Sequence, residues 1–108
     1  MIKYKHTRFL IAIAILVGFS ACKKNSSSTV YTPVCSGPAK SWQADVKPIM
    51  NTYCVGCHAS FGGYTEMVAS TTAIRSRVAD GSMPQGNALS NDQKNIVLCW
   101  IDSGTPNN

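Results

Sequence analysis

The sequence predicts an all-α fold of three to four short helices, and three observations carry that prediction. Apolar residues recur at helical spacing between positions 41 and 53. A capping box, Ser90-Asn-Asp-Gln93, opens a second apolar helical stretch near the carboxyl terminus. No stretch alternates polar and apolar residues as a half-buried strand does. With 108 residues, the chain has room for one small domain.

Residues 1–21 have the features of a signal peptide that is removed on export. A basic start at residues 1–8 precedes an unbroken apolar run of eleven residues at 9–19. A helix of that length covers about half of a ~30 Å bilayer core, so a permanent transmembrane helix is the weaker interpretation. The stretch Phe19–Cys22 (FSAC) resembles the lipobox of bacterial lipoproteins, which implies lipidation of Cys22. Ordinary secretion with cleavage nearby is the alternative.

The segment at residues 22–34 is polar, rich in serine and contains a proline near its end, a composition that predicts a flexible tether to a domain at residues 35–108. Most of the net charge of +5 leaves with the signal, because residues 22–108 hold seven basic and five acidic side chains. An excess of two basic side chains is too small to form the basic surface expected of a nucleic-acid-binding protein. We therefore predict an exported protein without a nucleic-acid partner, anchored by lipid to a bacterial membrane on its periplasmic or cell-surface side.

The remaining cysteines are predicted to pair in an oxidising compartment. Cys22 is assigned to lipid, and Cys54 and Cys57 belong to a motif of their own, which leaves Cys35 and Cys99. We predict a disulfide between these two, which would tie the start of the domain to its last helix. Two separate buried thiols are the alternative, since a sequence does not show whether two Cβ atoms meet.

The stretch Cys54-Val-Gly-Cys57-His58 matches C-x-x-C-H, the attachment signature for c-type haem. A spacing of three residues places both thiols on one face of a helical turn, where they can add to two vinyl groups on one side of a porphyrin. The imidazole of His58 follows directly and can bind the iron as proximal ligand. A zinc site, a thioredoxin-like dithiol and a simple disulfide between the two cysteines are the alternatives.

Short helices are predicted on both sides of this motif. Pro48 is tolerated only in a first turn, so the regular part of the first helix is expected to begin near Asp45. After the motif, residues 64–70 form a short helix, and Thr71 or Thr72 caps the next one. That next helix carries Ile74 and Val78 on one face and ends at Gly81. The last helix ends at Gly104, and its apolar stripe comprises Ile96, Val97, Trp100 and Ile101.

A loop at residues 81–86 offers a second ligand for haem iron. The thioether of Met83 is a soft ligand that suits low-spin haem iron. Pro84 biases Met83 away from helix, which suits a loop laid across one face of a haem. Met50 and Met67 are competing ligands, and a gap-filling role for Met83 is the other alternative.

With these blocks in this order, the chain resembles a small class I monohaem cytochrome c in a lipoprotein form. The blocks that carry the resemblance are, in order, Asp45–Met50, Cys54–His58, Gly81–Pro84, Leu89-Ser90 and Trp100–Gly104. The resemblance implies three to four short helices around one covalently attached haem c. It implies that Cys54 and Cys57 carry the haem, that His58 and Met83 are its axial ligands, and that Trp100 packs where the first and last helices cross.

The resemblance also implies an electron carrier rather than an enzyme, since two filled axial positions leave no open site at the iron. Its partners would be redox proteins of a membrane electron-transfer chain, with no small-molecule substrate. The alternative is a haem-based sensor or binder of a small ligand, which requires that Met83 leaves the iron easily. A structural, disulfide-linked lipoprotein without haem is a third class.

Overall fold

The computed structural model describes residues 29–108, and all regular secondary structure within that range is helical. The four α-helices are α1 (Lys47–Tyr53), α2 (Tyr64–Ala69), α3 (Thr71–Ala79) and α4 (Asn91–Asp102). A π-helical stretch, Trp42–Val46, runs directly into α1, and a 3₁₀ turn, Ala59–Gly62, joins α1 to α2. The described part of the chain is therefore helical, as predicted.

The predicted signal peptide at residues 1–21 and the predicted lipidation site, Cys22, lie outside the described residues. Of the predicted tether at residues 22–34, only the last six residues are described. No helix within residues 29–108 is both long enough and apolar enough to cross a membrane.

The described part of the predicted tether is bonded to the helical domain. The backbone N–H of Tyr31 donates to the carbonyl of Ala79 at 2.8 Å. The Tyr31 hydroxyl and the N–H of Val34 both donate to Oδ1 of Asn95, each at 2.9 Å. Packing contacts therefore reach back to Tyr31, ahead of the predicted domain start at Cys35.

The first helix starts later than predicted. The regular α-helix begins at Lys47, whereas the sequence predicted a start near Asp45. The preceding stretch, Trp42–Val46, takes the wider π-helical spacing, in which the N–H of Lys47 donates to the carbonyl of Trp42. Pro48 has no N–H to donate and stands in the first turn of α1, where a helix tolerates its absence.

Helices α2 and α3 lie where they were predicted, but the predicted cap of α3 is wrong. Thr71 is the first residue of α3, and its hydroxyl donates to the carbonyl of Val68 at 3.0 Å instead of accepting from the helix. Ser70 occupies the cap position without a side-chain hydrogen bond. Ile74 and Val78 are buried, as their spacing predicted.

Helix α4 begins and ends as predicted. Oγ of Ser90 accepts from the N–H of Gln93 at 3.2 Å, and Oε1 of Gln93 accepts from the N–H of Ser90 at 2.9 Å. The helix stops before Gly104, whose φ of +94° suits glycine. Four residues of this helix are buried, two of them outside the predicted stripe: Val97, Leu98, Cys99 and Trp100.

An aromatic cluster forms the centre of the core. Trp42 and Trp100 are almost fully buried, with ring centroids 5.5 Å apart, and Tyr64 packs edge-on against both. The carboxyl-terminal tail closes over this cluster. Its carbonyls accept hydrogen bonds from Nε1 of Trp100 (to Pro106, 3.0 Å) and from the Tyr64 hydroxyl (to Thr105, 2.7 Å). Trp100 therefore lies at the contact of the first and last helical segments.

An ion pair joins α3 to α4 at the surface. Nε and Nη2 of Arg75 donate to the two carboxylate oxygens of Asp102 at 2.7 and 2.9 Å. The hydrogen bond from Arg75 holds the pKa of the Asp102 carboxyl below its ordinary value. The same bond raises the pKa of the Arg75 guanidinium, so this arginine has a partner within the chain.

We expect this ion pair to contribute stability that is lost in acid. Because the folded pKa of Asp102 lies below an unfolded value of about 3.9, the contribution is fully present above about pH 4. It disappears as the pH falls through the folded pKa. Both side chains are more than a third exposed, so its size is on the order of 0.5 kcal/mol. Urea unfolding should separate Asp102→Asn from the parent at neutral pH only, and an equal difference in strong acid would contradict this assignment.

Candidate functional site

Four residues singled out in the sequence line one cleft. Cys54, Cys57, His58 and Met83 surround a cavity of about 300 Å³. The other residues that line this cleft are Tyr53, Pro84 and Gln85. Cofactor sites in proteins are concave, and the smallest of them have volumes of roughly 300 Å³. The cleft is therefore the candidate site, and it brings together two stretches that are distant in the chain.

Helix α1 positions the first half of the cleft. The N–H of Cys54 donates to the carbonyl of Met50 at 2.9 Å, so helical bonding continues through this cysteine. The chain then turns tightly, because the N–H groups of Cys57 and His58 both donate to the carbonyl of Cys54, at 3.1 and 2.8 Å. This turn keeps the two cysteines and the histidine beside the same cleft.

The two cleft thiols are unpaired, and the surroundings of Cys54 do not favour its thiolate. Cys54 is half-buried and Cys57 is exposed. Burial raises the pKa of the Cys54 thiol. Its position at the carboxyl end of α1, where the helix dipole is negative, disfavours a thiolate in the same way. A redox-active C-x-x-C pair needs a lowered thiol pKa, typically at a helix amino terminus, so the thioredoxin-like alternative does not fit.

The other two described cysteines are bonded to each other. Cys35 and Cys99 form the predicted disulfide, with their Cα atoms 5.5 Å apart. They line a separate cavity of about 150 Å³ and supply no ligand to the cleft. Within residues 29–108, His, Cys, Asp and Glu side chains do not gather in threes at any place that could hold a metal ion. Among the residues that the structure describes, the zinc alternative therefore lacks the ligands that a structural zinc site needs.

The imidazole of His58 stacks on the ring of Phe61. The ring centroids are 4.9 Å apart and the planes are inclined by 20°. The N–H of Phe61 donates to the carbonyl of His58 at 2.9 Å. This hydrogen bond closes the turn that brings the two rings together. Phe61 was not identified from the sequence. The available signal was its spacing of three residues from His58, the separation at which side chains meet across a helical turn.

Among the described methionines, Met83 is the one that lines the cleft. Met50 and Met67 are 1% and 0% exposed and belong to the hydrophobic core. Met83 is half-buried, and its N–H donates to the carbonyl of Arg77 at 3.2 Å, which fixes the loop against the end of α3. The peptide bond between Met83 and Pro84 is cis. This placement favours Met83 over the two competing methionines as a candidate ligand.

A hydrogen bond connects the cleft wall to α4. Nε2 of Gln93 donates to the hydroxyl of Tyr53 at 3.1 Å, while Oε1 of the same side chain accepts from Ser90. The capping glutamine therefore also holds a side chain of the cleft. The sequence predicted the capping box but not this second role, which depends on how α1 and α4 pack together.

The chemistry of the cleft suits a haem. It offers two thiols three residues apart for thioether bonds, an imidazole beside them, and a thioether from the opposite loop. No family model, no curated protein and no solved structure matches this chain. The functional conclusion therefore depends on the residues of the cleft.

Proposed function

We propose that this protein is a membrane-tethered electron carrier with one covalently attached haem c. The observation that carries the proposal is the shared cleft of Cys54, Cys57, His58 and Met83. A C-x-x-C-H sequence alone also fits zinc or a redox-active dithiol. The raised pKa of the Cys54 thiol and the pairing of Cys35 with Cys99 count against both of these alternatives.

Each residue of the cleft has a distinct role in this proposal. The thiols of Cys54 and Cys57 would hold the haem through two thioether bonds, each formed by addition of one S–H across one vinyl group. The imidazole of His58 and the thioether of Met83 would be the two residues that bind the iron. The soft thioether of Met83 favours the reduced metal. When bound, the haem supplies an iron that changes its oxidation state by one electron.

The rest of the chain supports these ligands. Phe61 fixes the plane of the His58 imidazole by stacking, and Gln93 holds Tyr53 against the cleft. Pro84 and Gln85 line the cleft together with Met83. If His58 and Met83 both bind the iron, no position on it would remain open to a substrate. The protein is therefore proposed as a carrier and not as an enzyme.

The proposed location follows from the amino-terminal sequence. Removal of residues 1–21 and lipidation of Cys22 would anchor the chain to a bacterial membrane on its periplasmic or cell-surface side. A short tether keeps the domain at a high local concentration near membrane-bound redox proteins, which are the proposed partners.

The test is the visible spectrum of the full chain, produced in a host that matures c-type cytochromes. We expect a haem that survives denaturation, a low-spin reduced form, and a methionine–iron charge-transfer band in the oxidised protein. Met83→Ala should abolish that band, because it removes the sulfur that lines the cleft. Met67→Leu is the matched control, since this buried methionine lies in the core, and it should keep the band.

Two other spectra would contradict the proposal. Covalent haem without the charge-transfer band in the parent protein would indicate an open sixth position and a sensor or binder of a small ligand. Protein without haem from the same host would indicate a structural, disulfide-linked lipoprotein.

A further inference from the structure

Met83 lies in a loop that has few attachments of its own. Residues 80–90 connect α3 to α4 without regular secondary structure, and within them residues 84–89 take part in no backbone–backbone hydrogen bond. Leu89 is buried in the core, whereas residues 85–88 are exposed. Eleven extended residues reach about 36–40 Å, so the loop alone does not determine the distance between its two ends.

The end of α3 binds both Met83 and a residue of the amino-terminal segment. The last four carbonyls of a helix have no partner within the helix. The N–H of Met83 donates to one of these carbonyls, that of Arg77, at 3.2 Å, and the N–H of Tyr31 donates to another, that of Ala79, at 2.8 Å. The other two accept from the first residues of the loop: Ser76 from Asp80 at 2.9 Å and Val78 from Gly81 at 3.3 Å.

The side chain of Tyr31 reaches the other end of the same loop. Its hydroxyl donates to Oδ1 of Asn95 at 2.9 Å and lies 3.3 Å from the carbonyl oxygen of Asn91, the first residue of α4. Nζ of Lys94 lies 5.2 Å from the centre of the Tyr31 ring, within the range of a cation–π contact. One residue therefore connects the last residue of α3 to the beginning of α4.

We propose that Tyr31 is a positioning residue for Met83. By joining the two ends of the loop, it keeps the Met83 thioether at the cleft and so stabilises Met83 as a ligand of the iron. This inference rests on the proposed function. Tyr31 does not line the cleft itself, so it acts only through the loop. It lies in the segment that the sequence predicted to be a flexible tether, which would give that segment a second role.

The physical reason is the conformational freedom of the loop. Met83 can leave the iron only if its loop moves away from the cleft. A loop whose ends are held together has fewer conformations than one whose ends are free, so Met83 gains less entropy by leaving. The contacts of Tyr31 at both ends therefore favour the arrangement in which Met83 lines the cleft.

Imidazole binding to the haem-loaded, oxidised full chain tests this inference. Added imidazole binds the iron only when Met83 has left it, so its apparent affinity measures that fraction of the molecules. Tyr31→Phe removes the hydroxyl that contacts α4 but keeps the ring and the N–H that donates to Ala79. Loss of such a hydrogen bond changes an equilibrium about threefold to tenfold, so the Kd for imidazole should fall by that factor.

Tyr64→Phe is the matched control. The Tyr64 hydroxyl donates to the carbonyl of Thr105 at 2.7 Å, and this bond is partly buried, as is the bond from Tyr31 to Asn95. The Tyr64 ring packs in the aromatic cluster and not against residues 80–90. The control therefore loses a comparable hydrogen bond elsewhere, and its Kd for imidazole should equal that of the parent.

A double variant separates positioning of Met83 from a general loosening of the fold. Met83→Ala removes the thioether that competes with imidazole. If Tyr31 acts through Met83, adding Tyr31→Phe to Met83→Ala should not change the Kd for imidazole any further. A fall of the same size in both backgrounds would show that Tyr31 acts by another route.

Hydrogen exchange of the Met83 amide provides a measurement that does not use the haem. This N–H is protected by its bond to the Arg77 carbonyl, which opens when the loop moves. Tyr31→Phe should accelerate its exchange by the same factor of roughly threefold to tenfold, whereas Tyr64→Phe should not.

Three results would overturn the inference: an unchanged Kd for imidazole in Tyr31→Phe, an equal fall in both tyrosine variants, or a fall that persists without Met83. Failure of the proposed function would look different. The parent would then carry no haem, or it would bind imidazole equally well with and without the Met83 thioether. In either case the exchange of the Met83 amide would still show whether Tyr31 holds the loop.

Discussion

Replacing Trp100 with alanine is expected to cost about 3–5 kcal/mol of folding free energy. The side chain is fully buried, its ring centroid lies 5.5 Å from that of Trp42, and it also packs against Tyr64. Its Nε1–H donates to the carbonyl of Pro106 at 3.0 Å, so alanine also leaves that carbonyl without its donor. A domain of this size has a total stability of roughly 4–12 kcal/mol, so the variant should be partly or largely unfolded at room temperature.

Far-UV circular dichroism during urea unfolding would measure this loss. Trp100→Phe is the matched control, because it keeps an aromatic ring against Trp42 and removes only the indole N–H and part of the volume. We expect a smaller cost of about 1–2 kcal/mol for this variant. A midpoint for Trp100→Ala close to that of the parent would contradict a central role for the aromatic cluster.

Local sequence signals predicted the helices correctly where a feature depends on two residues that lie close together in the sequence. Ser90 and Gln93 satisfy each other's backbone groups, so their spacing alone placed the start of α4. Ile74 and Val78 are four residues apart and face the core together. Neither feature needs information from a distant part of the chain.

The cap of α3 shows where a local rule fails. A side-chain cap requires an extended backbone at the cap residue. Ser70 is the one residue between α2 and α3, and its φ of −108° and ψ of 5° are not extended. The chain thus passes from one helix to the next too abruptly for a cap, and the Thr71 hydroxyl turns back to Val68. The sequence predicted that the two helices adjoin, but not that the backbone of the single connecting residue is not extended.

The residues of the candidate site also differ in how far local sequence could predict their positions. Cys54, Cys57 and His58 adjoin in sequence, so their presence beside one cleft follows from a single turn. The approach of Met83 depends on the path of residues 81–90, and the bond from Gln93 to Tyr53 depends on the packing of α1 with α4. Periodicity carries no information on either. Met83 was predicted from ligand chemistry and from the resemblance to cytochromes c.

Removal of the disulfide is the second change with a large expected effect. Cys35 and Cys99 are 64 residues apart, and the loop between them contains the whole cleft. In the chain-entropy account, closing a loop of this length removes freedom from the unfolded chain worth about 4 kcal/mol. We expect the double variant Cys35→Ser, Cys99→Ser to lose roughly 2–4 kcal/mol of unfolding free energy in urea.

Asn95→Ala separates loop closure from local attachment. Asn95 accepts from the Tyr31 hydroxyl and from the N–H of Val34, so it fastens the same amino-terminal segment without a covalent bond. Loss of these hydrogen bonds should cost about 1–2 kcal/mol. If the disulfide acts by restricting the unfolded chain, its removal must cost clearly more than Asn95→Ala. Equal losses of unfolding free energy would show that the disulfide acts only as a local attachment of the amino-terminal segment.

The spectrum of the double variant gives an independent check. The disulfide lines its own cavity with residues 35–40, whereas Met83 and His58 line the cleft. Because loop closure stabilises the fold through the unfolded state, the folded double variant should keep the methionine–iron band that Met83→Ala loses. Loss of that band at urea concentrations where the helices persist would show that the disulfide instead holds the cleft in shape.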